Sequence, residues 1–216
     1  MDRGCLHAPS SWLFGAGPCR LRCQLPDQQL VLSASRPNTW NLERTRTTPG
    51  RGQESAWSFP AAPVVEPSRR SAAGELLGVV MFNVHQGYRV VQRGFAPTYY
   101  VACEQTRMEL LVESGRREAC SHRGALAYWT LAIDQDIVRD IGWTCVQPSP
   151  RFEVLRDHIA FFPGALDAAW LDGERVVAAQ GDQSRGWVTS HTVGPFLEDR
   201  AVERAVGGHR GLGEPQ

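Results

Sequence analysis

Ala168-Ala169-Trp170-Leu171-Asp172-Gly173-Glu174-Arg175-Val176-Val177 reads as two strands joined by a two-residue turn. Asp-Gly supplies the two positive φ angles of a type I′ turn, whose twist matches that of the strands it joins. Toward the N-terminus, His158-Ile159-Ala160-Phe161-Phe162 is a further strand, ended by Pro163-Gly164. Phe152, Leu155 and Arg156, after Pro148-Ser149-Pro150, mark one or two helical turns. Residues 126–133 and 141–146 are apolar, aromatic and β-branched enough to be strands, with the acidic stretch 134–140 turning between them. Residues 99–103 are a strand, 88–91 a short helix or strand, and 76–82 the first ordered strand. Residues 104–111 suit a helical turn with Met108, Leu110 and Leu111 inward. In the other direction Trp187-Val188-Thr189-Ser190 closes the set before Gly194-Pro195. Many short strands with few helices predict a mainly β domain.

Arg and the acidic residues balance, 23 against 23, and no lysine occurs. Zero net charge gives no footprint for phosphate backbones or anionic lipid, so nucleic acid and membrane are not expected partners. The absence of lysine excludes Schiff-base chemistry and the lysine of a phosphate-binding loop. The cysteines, Cys5, Cys19, Cys23, Cys103, Cys120 and Cys145, are too sparse for a disulfide scaffold and read as reduced thiols. No apolar run approaches the roughly 18 residues of a membrane span.

Residues 1–63 are rich in Pro, Gly, Ser, Gln, Asn and Arg and hold no periodicity, so they are expected as a disordered leader. Its longest apolar piece, Trp12 to Phe14, is too short for a secretory signal. Its Arg- and Ser-containing, acid-poor start suits either an organelle transit peptide or a region upstream of the true start. The expected organisation is leader 1–63, β domain 64–199 and flexible Gly-rich tail 200–216. The expected location is cytoplasmic, with organelle import if the leader is a transit peptide.

Six stretches in order carry a resemblance: Val64-Val65-Glu66-Pro67-Ser68, Ala96-Pro97-Thr98-Tyr99-Tyr100, Arg107-Met108-Glu109-Leu110-Leu111, Arg123-Gly124-Ala125-Leu126-Ala127-Tyr128-Trp129, Arg156-Asp157-His158-Ile159-Ala160-Phe161-Phe162, and Gly186-Trp187-Val188-Thr189-Ser190 through Phe196. In these the chain resembles domain of unknown function family 427, also labelled nucleotidyltransferase 9, over residues 64–199. The resemblance implies a β-tent, similar to the Mss4-like group, with two small antiparallel sheets leaning together over a cleft and one or two short helices. The chain departs from the family at Ala119-Cys120-Ser121-His122-Arg123-Gly124, where an aromatic-Cys-x-x-Lys-Gly run is usual. It departs again at Ser71-Ala72-Ala73-Gly74-Glu75, in place of the usual first strand.

Chemistry can be sought in four places. Zinc in tent-fold relatives sits on paired Cys-x-x-Cys knuckles, and none occurs here. Cys120 and His122 with Cys103, Cys145 or His158 lack diagnostic spacing, so neither metal nor cofactor is expected. Nucleotidyl transfer needs paired carboxylates for magnesium; Asp134 and Asp136 follow Gly124 but read as an exposed turn. Cys120 with His122 or His158 are the catalytic candidates, because a thiol needs a nearby base and alternation puts Cys120 and His122 on one face. Thr189-Ser190-His191 reads as a strand end.

The largest set is aromatic, and most of it belongs to the core. Tyr100, Tyr128, Trp129, Trp143 and Trp187 are the ligand-binding candidates, with Arg123, His158 and Thr189 as polar anchors for a carboxylate, phosphate or carbonyl. The expected function is binding of a small molecule in an aromatic-lined cleft. The alternatives are a protein-interaction module and a nucleotidyltransferase-like activity.

Overall fold

The computed structural model describes residues 46–179 and 185–197. The expected tail, the end of the domain at residue 199 and the first 45 residues of the leader lie outside the described residues. The strands are β1 (Glu54–Ser55), β2 (Val64–Ser68), β3 (Ala72–Leu76), β4 (Val79–Val84), β5 (Gly87–Val91), β6 (Thr98–Ala102), β7 (Leu111–Cys120) and β8 (Gly124–Ile133). They continue as β9 (Asp136–Pro148), β10 (His158–Phe161), β11 (Ala168–Leu171), β12 (Glu174–Arg175), β13 (Val177–Ala178), β14 (Trp187–Val188) and β15 (Thr192–Val193). Short 3-10 turns at Cys103–Gln105, Met108–Leu110 and Pro150–Leu155 stand where helical turns are expected, and a further one, Pro163–Ala165, follows the end of β10.

A seven-stranded antiparallel sheet runs β2-β5-β6-β10-β9-β8-β7, and a four-stranded one runs β12-β11-β3-β4. The protein is mainly β, but the larger sheet exceeds the small one that the resemblance implies. The strands β6 and β10 and the middle of β9, residues 141–145, lie at its centre and are buried on both faces, which is why their sequences are near-continuous apolar and aromatic runs. The Asp172-Gly173 turn forms as expected, with φ of 51° and 79°. The strand expected over 76–82 is instead the hairpin β3–β4, turning at Leu77 and Gly78, which both take positive φ. Likewise the acidic connection 134–140 shrinks to a two-residue turn, and β9 begins at Asp136.

Among the described residues the space between the two sheets is packed solid. It is filled by Met81, Phe82, Val101, Ile141, Ile159, Phe161, Leu171 and Trp187, all nearly or fully buried. Phe82 stacks on Phe161 with centroids 4.9 Å apart. A second core covers the outer face of the seven-stranded sheet, where Val90, Tyr100, Leu126, Tyr128, Trp143, Cys145 and Ala160 pack under Phe152, Leu155 and Phe162.

Residues 46–63, expected in the disordered leader, are in part folded. β1 pairs in parallel with β15, and Ala56 and Phe59 are buried with Val91, Ala96, Ala179 and Phe196 in a third core. Trp57 Nε1 donates to the Pro195 carbonyl at 2.8 Å. Arg89 on β5 donates to the carboxylates of both Glu54 and Glu66, tying the arm to the large sheet. The Pro, Ser and Gln content that suggests disorder conceals two aromatic anchors. Among the described residues no helix is long and apolar enough to cross a membrane.

Candidate functional site

Strand alternation sends Tyr100, Tyr128 and Trp143 to the same outer face. Register aligns them, since Tyr100 pairs with Ala160, Ala160 with Trp143, and Trp143 with Tyr128, one residue per strand across β6, β10, β9 and β8. Phe162 closes the group, 4.5 Å from Trp143 and parallel to Tyr128 at 6.3 Å. Trp143 Nε1 donates to the Tyr100 hydroxyl at 3.2 Å. These aromatics are at most 1% exposed for the three strand residues, so they are the floor of a site rather than the walls of an open cleft.

The other expected ligand residues lie elsewhere. Trp129 turns to the inner core and donates to Thr144 Oγ1 at 3.1 Å. Trp187 is inner core as well, donating to the Phe161 carbonyl at 3.3 Å and tilted against Tyr99. Thr189 is buried, with Oγ1 3.4 Å from His191 Nδ1. His158 reaches the margin of the outer face, edge-on to Tyr88 at 5.0 Å. Its Nδ1 is buried without a hydrogen-bond partner, and burial holds the imidazole below its ordinary pKa.

A layer of charge covers the aromatic floor. The Arg116 guanidinium lies over the Tyr128 ring, 4.0 Å from its centroid, and that of Arg185 over Trp143 at 5.1 Å. Arg185 Nη2 donates to Glu118 Oε2 at 2.9 Å and to the Tyr128 hydroxyl at 2.8 Å, while the Tyr128 hydroxyl itself donates to Glu118. Arg116 also meets Asp140 at 3.3 Å. Burial pushes the Glu118 carboxyl up, but the hydrogen bonds from Tyr128 and Arg185 outweigh it and hold the group below the usual carboxylate range. The Tyr128 phenol is raised by burial and by the same carboxylate.

Arg123 is the remaining expected anchor. It sits in the turn between β7 and β8, where its N–H points to Cys120 Sγ at 3.5 Å and Ser149 N–H donates to its carbonyl at 3.1 Å. Gly124 allows that turn: its φ is 93°, and a Cβ there would stand 2.0 Å from the Gln147 carbonyl oxygen. Burial raises the Tyr100 phenol and the Cys145 thiol, and the positive charge of Arg123 opposes that rise at both. Among the described residues the half-exposed side chain of Arg123 has no hydrogen-bond or ion-pair partner. Among the described residues, the Arg116 and Arg185 guanidiniums meet the carboxylates of Asp140 and Glu118 respectively. Arg116, Glu118 and Arg185 have no counterpart in the expectation from sequence.

The catalytic candidates do not assemble. His122 is exposed in the turn, where its carbonyl accepts from Ser149 Oγ at 2.6 Å, so alternation does not carry it to the face of Cys120. β7 and β10 are three strands apart, about 14 Å at the usual strand spacing, which separates Cys120 from His158. Burial pushes the Cys145 thiol up to about 11, far from thiolate chemistry. Among the described residues no group of three His, Cys, Asp or Glu is placed to hold a metal ion. Asp134 and Asp136 are exposed at the far end of β8 from Gly124, about 30 Å along a ten-residue strand. Ser190 donates its N–H and hydroxyl to Glu174, both at 2.6 Å, and His191 lies 3.5 Å from that carboxylate; the serine is bonded to the acid rather than to the imidazole.

No curated protein matches the chain. A family model does match, over residues 64–172, from the first strand of the large sheet to the β11–β12 turn. This span covers half of the chain and includes Tyr100, Arg123, Tyr128 and Trp143, while Arg185 and the folded arm fall outside it. The chain belongs to the family described as Domain of unknown function (DUF427).

Proposed function

We propose that the protein binds a small organic molecule at the arginine-covered outer face of the seven-stranded sheet. The observation that carries this reading is the pairing of guanidiniums with aromatic rings: Arg116 on Tyr128 and Arg185 on Trp143. A guanidinium over an aromatic ring is held there by cation–π attraction, and the buried Arg185 Nε, which has no hydrogen-bond partner, is a donor that a polar ligand can meet. The ligand contacts the charged layer first, with the buried aromatics holding that layer in place. The small recess beside Ser68, Gln86, Tyr88 and Tyr99, at most about 180 Å³ of open space, is below the size of ordinary ligand pockets and is not the site.

The alternatives draw less from the geometry. An interaction module would use the open edge of β7, but Glu113, Arg116, Arg117 and Glu118 line that strand, and charge on an edge discourages pairing. Nucleotidyl transfer would need the Asp134 and Asp136 carboxylates near the basic turn, from which β8 separates them.

Native mass spectrometry of the full chain, expressed without a tag, tests the proposal. The expected result is an organic mass increment over the denatured mass, lost in an Arg185→Leu variant. A bare mass, together with no ligand-induced rise in melting temperature across a panel of metabolites, overturns it.

A further inference from the structure

Arg185 spends only part of its guanidinium within the protein. Nη2 donates to Glu118 Oε2 at 2.9 Å and to the Tyr128 hydroxyl at 2.8 Å, and Cζ stands 5.1 Å from the centroid of the Trp143 ring. Nε is buried and has no hydrogen-bond partner. A donor shielded from water and left without an acceptor is costly, more so on a charged group, and native proteins leave few of them. The side chain as a whole is 21% exposed, so the guanidinium borders solvent although this nitrogen does not. A group that meets Nε must therefore present a narrow acceptor, a single oxygen rather than a branched one.

Glu118 decides the charge of that acceptor. Its carboxylate already forms the ion pair with Arg185, and the same oxygen accepts from the Tyr128 hydroxyl. Nε and Nη2 hang on one carbon, so an atom bonded to Nε stands about a guanidinium's width from this carboxylate. A second anion there meets a like charge, and the guanidinium that would offset it is already paired; like-charge juxtaposition of this kind is how sites reject wrong partners. Arg116, over Tyr128, meets a carboxylate too, Asp140 at 3.3 Å. A neutral carbonyl oxygen escapes the repulsion and still accepts from a charged donor.

We infer that the ligand meets Arg185 Nε through an uncharged carbonyl or amide oxygen, and that Glu118 turns the corresponding carboxylates away. This rests on the small-molecule reading of the same face and adds to it the class of group recognised.

The test titrates the full-length protein by calorimetry with benzamide, benzoate and toluene, one ring carrying a neutral acceptor, an anionic acceptor and none. Benzamide is expected to bind about tenfold or more tightly than either of the others. Arg185→Lys, which keeps a cation but not the Nε–H, should bring benzamide down to the level of toluene. Glu118→Gln should raise benzoate binding about tenfold and leave benzamide unchanged, and a gain of binding cannot come from a damaged fold. Benzoate or toluene binding the parent as tightly as benzamide, or benzoate binding indifferent to Glu118→Gln, overturns the assignment and leaves the small-molecule reading standing. Binding of none of the three overturns it as well; a bare native mass in that case takes the small-molecule reading with it.

Discussion

His158 is the titrating group whose protonation opposes this fold most directly. Its Nδ1 is buried and unpartnered, and burial lowers its pKa from the ordinary 6.5, against the weaker opposite pull of Asp157 and Glu104. The unfolded chain therefore takes up the proton first as pH falls. The stabilising contribution of neutral His158 is complete above about pH 6.5 and is lost as pH drops through the lower folded value. Urea midpoints measured from pH 7.5 downward should fall below about pH 6.5, and a His158→Gln protein should show a flatter decline over the same range. An unchanged slope would assign the decline to other groups. Single residues also mark the limit of legibility. The turn position of Arg123 was readable because it stands beside a glycine in a distinctive run. Arg185 was not, because nothing in Ser-Arg-Gly-Trp announces that the arginine lies on Trp143, 42 residues earlier in the chain.

Elements divide by how much of their surface is buried. The central strands β6 and β10 and the middle of β9 were legible because both faces are apolar, and the β11–β12 hairpin because Asp-Gly has few other uses. β7 was not: its ten residues, Leu-Val-Glu-Ser-Gly-Arg-Arg-Glu-Ala-Cys, are largely exposed on the sheet edge, with a register shift between Glu113 and Arg117 that breaks the alternation. Missing β7 meant missing Arg116 and Glu118, which it delivers to the site. The arm around β1 was missed for the converse reason, a folded element in a composition typical of disorder. Its deletion, starting the protein at Val64, removes Trp57 and Phe59, each stabilising by about 1.5–3 kcal/mol on burial. It also strips Arg89 of Glu54. The melting temperature, followed by circular dichroism, should fall by roughly 10 °C or more, and a shortened protein as stable as the parent would show that the arm is dispensable.

At the scale of the described domain, one sheet serves two cores. Its inner face packs against the four-stranded sheet through Phe82, Phe161 and Trp187, and its outer face carries the aromatic row under the arginines. The composition made a mainly β domain legible. Which aromatics share a face depends on bulges, such as those between Ala125 and Leu126 and between Trp129 and Leu131, that shift the parity of a strand without leaving a trace in residue type. Trp129, next to Tyr128 in sequence, parts from it in space by simple alternation, the two being in continuous register with Gly142 and Trp143. Among the described residues the segment that supplies Arg185 belongs to neither large sheet: β14 pairs with β13, and β15 with the arm.

The parallel pairing of β1 with β15 brings Glu54 opposite Thr192, while the Thr47 N–H reaches the Gly194 carbonyl at 3.3 Å. The first and last described stretches thus lie side by side, as if the chain had been drawn into a loop. A circular permutant follows directly, in which residue 197 is linked through a few glycines to residue 46 and new ends are opened at the exposed Leu77-Gly78 turn. It should fold with the circular dichroism spectrum of the parent. The same closure would let the domain be spliced into a surface loop of a host protein without prising that loop apart, making it a graftable cassette.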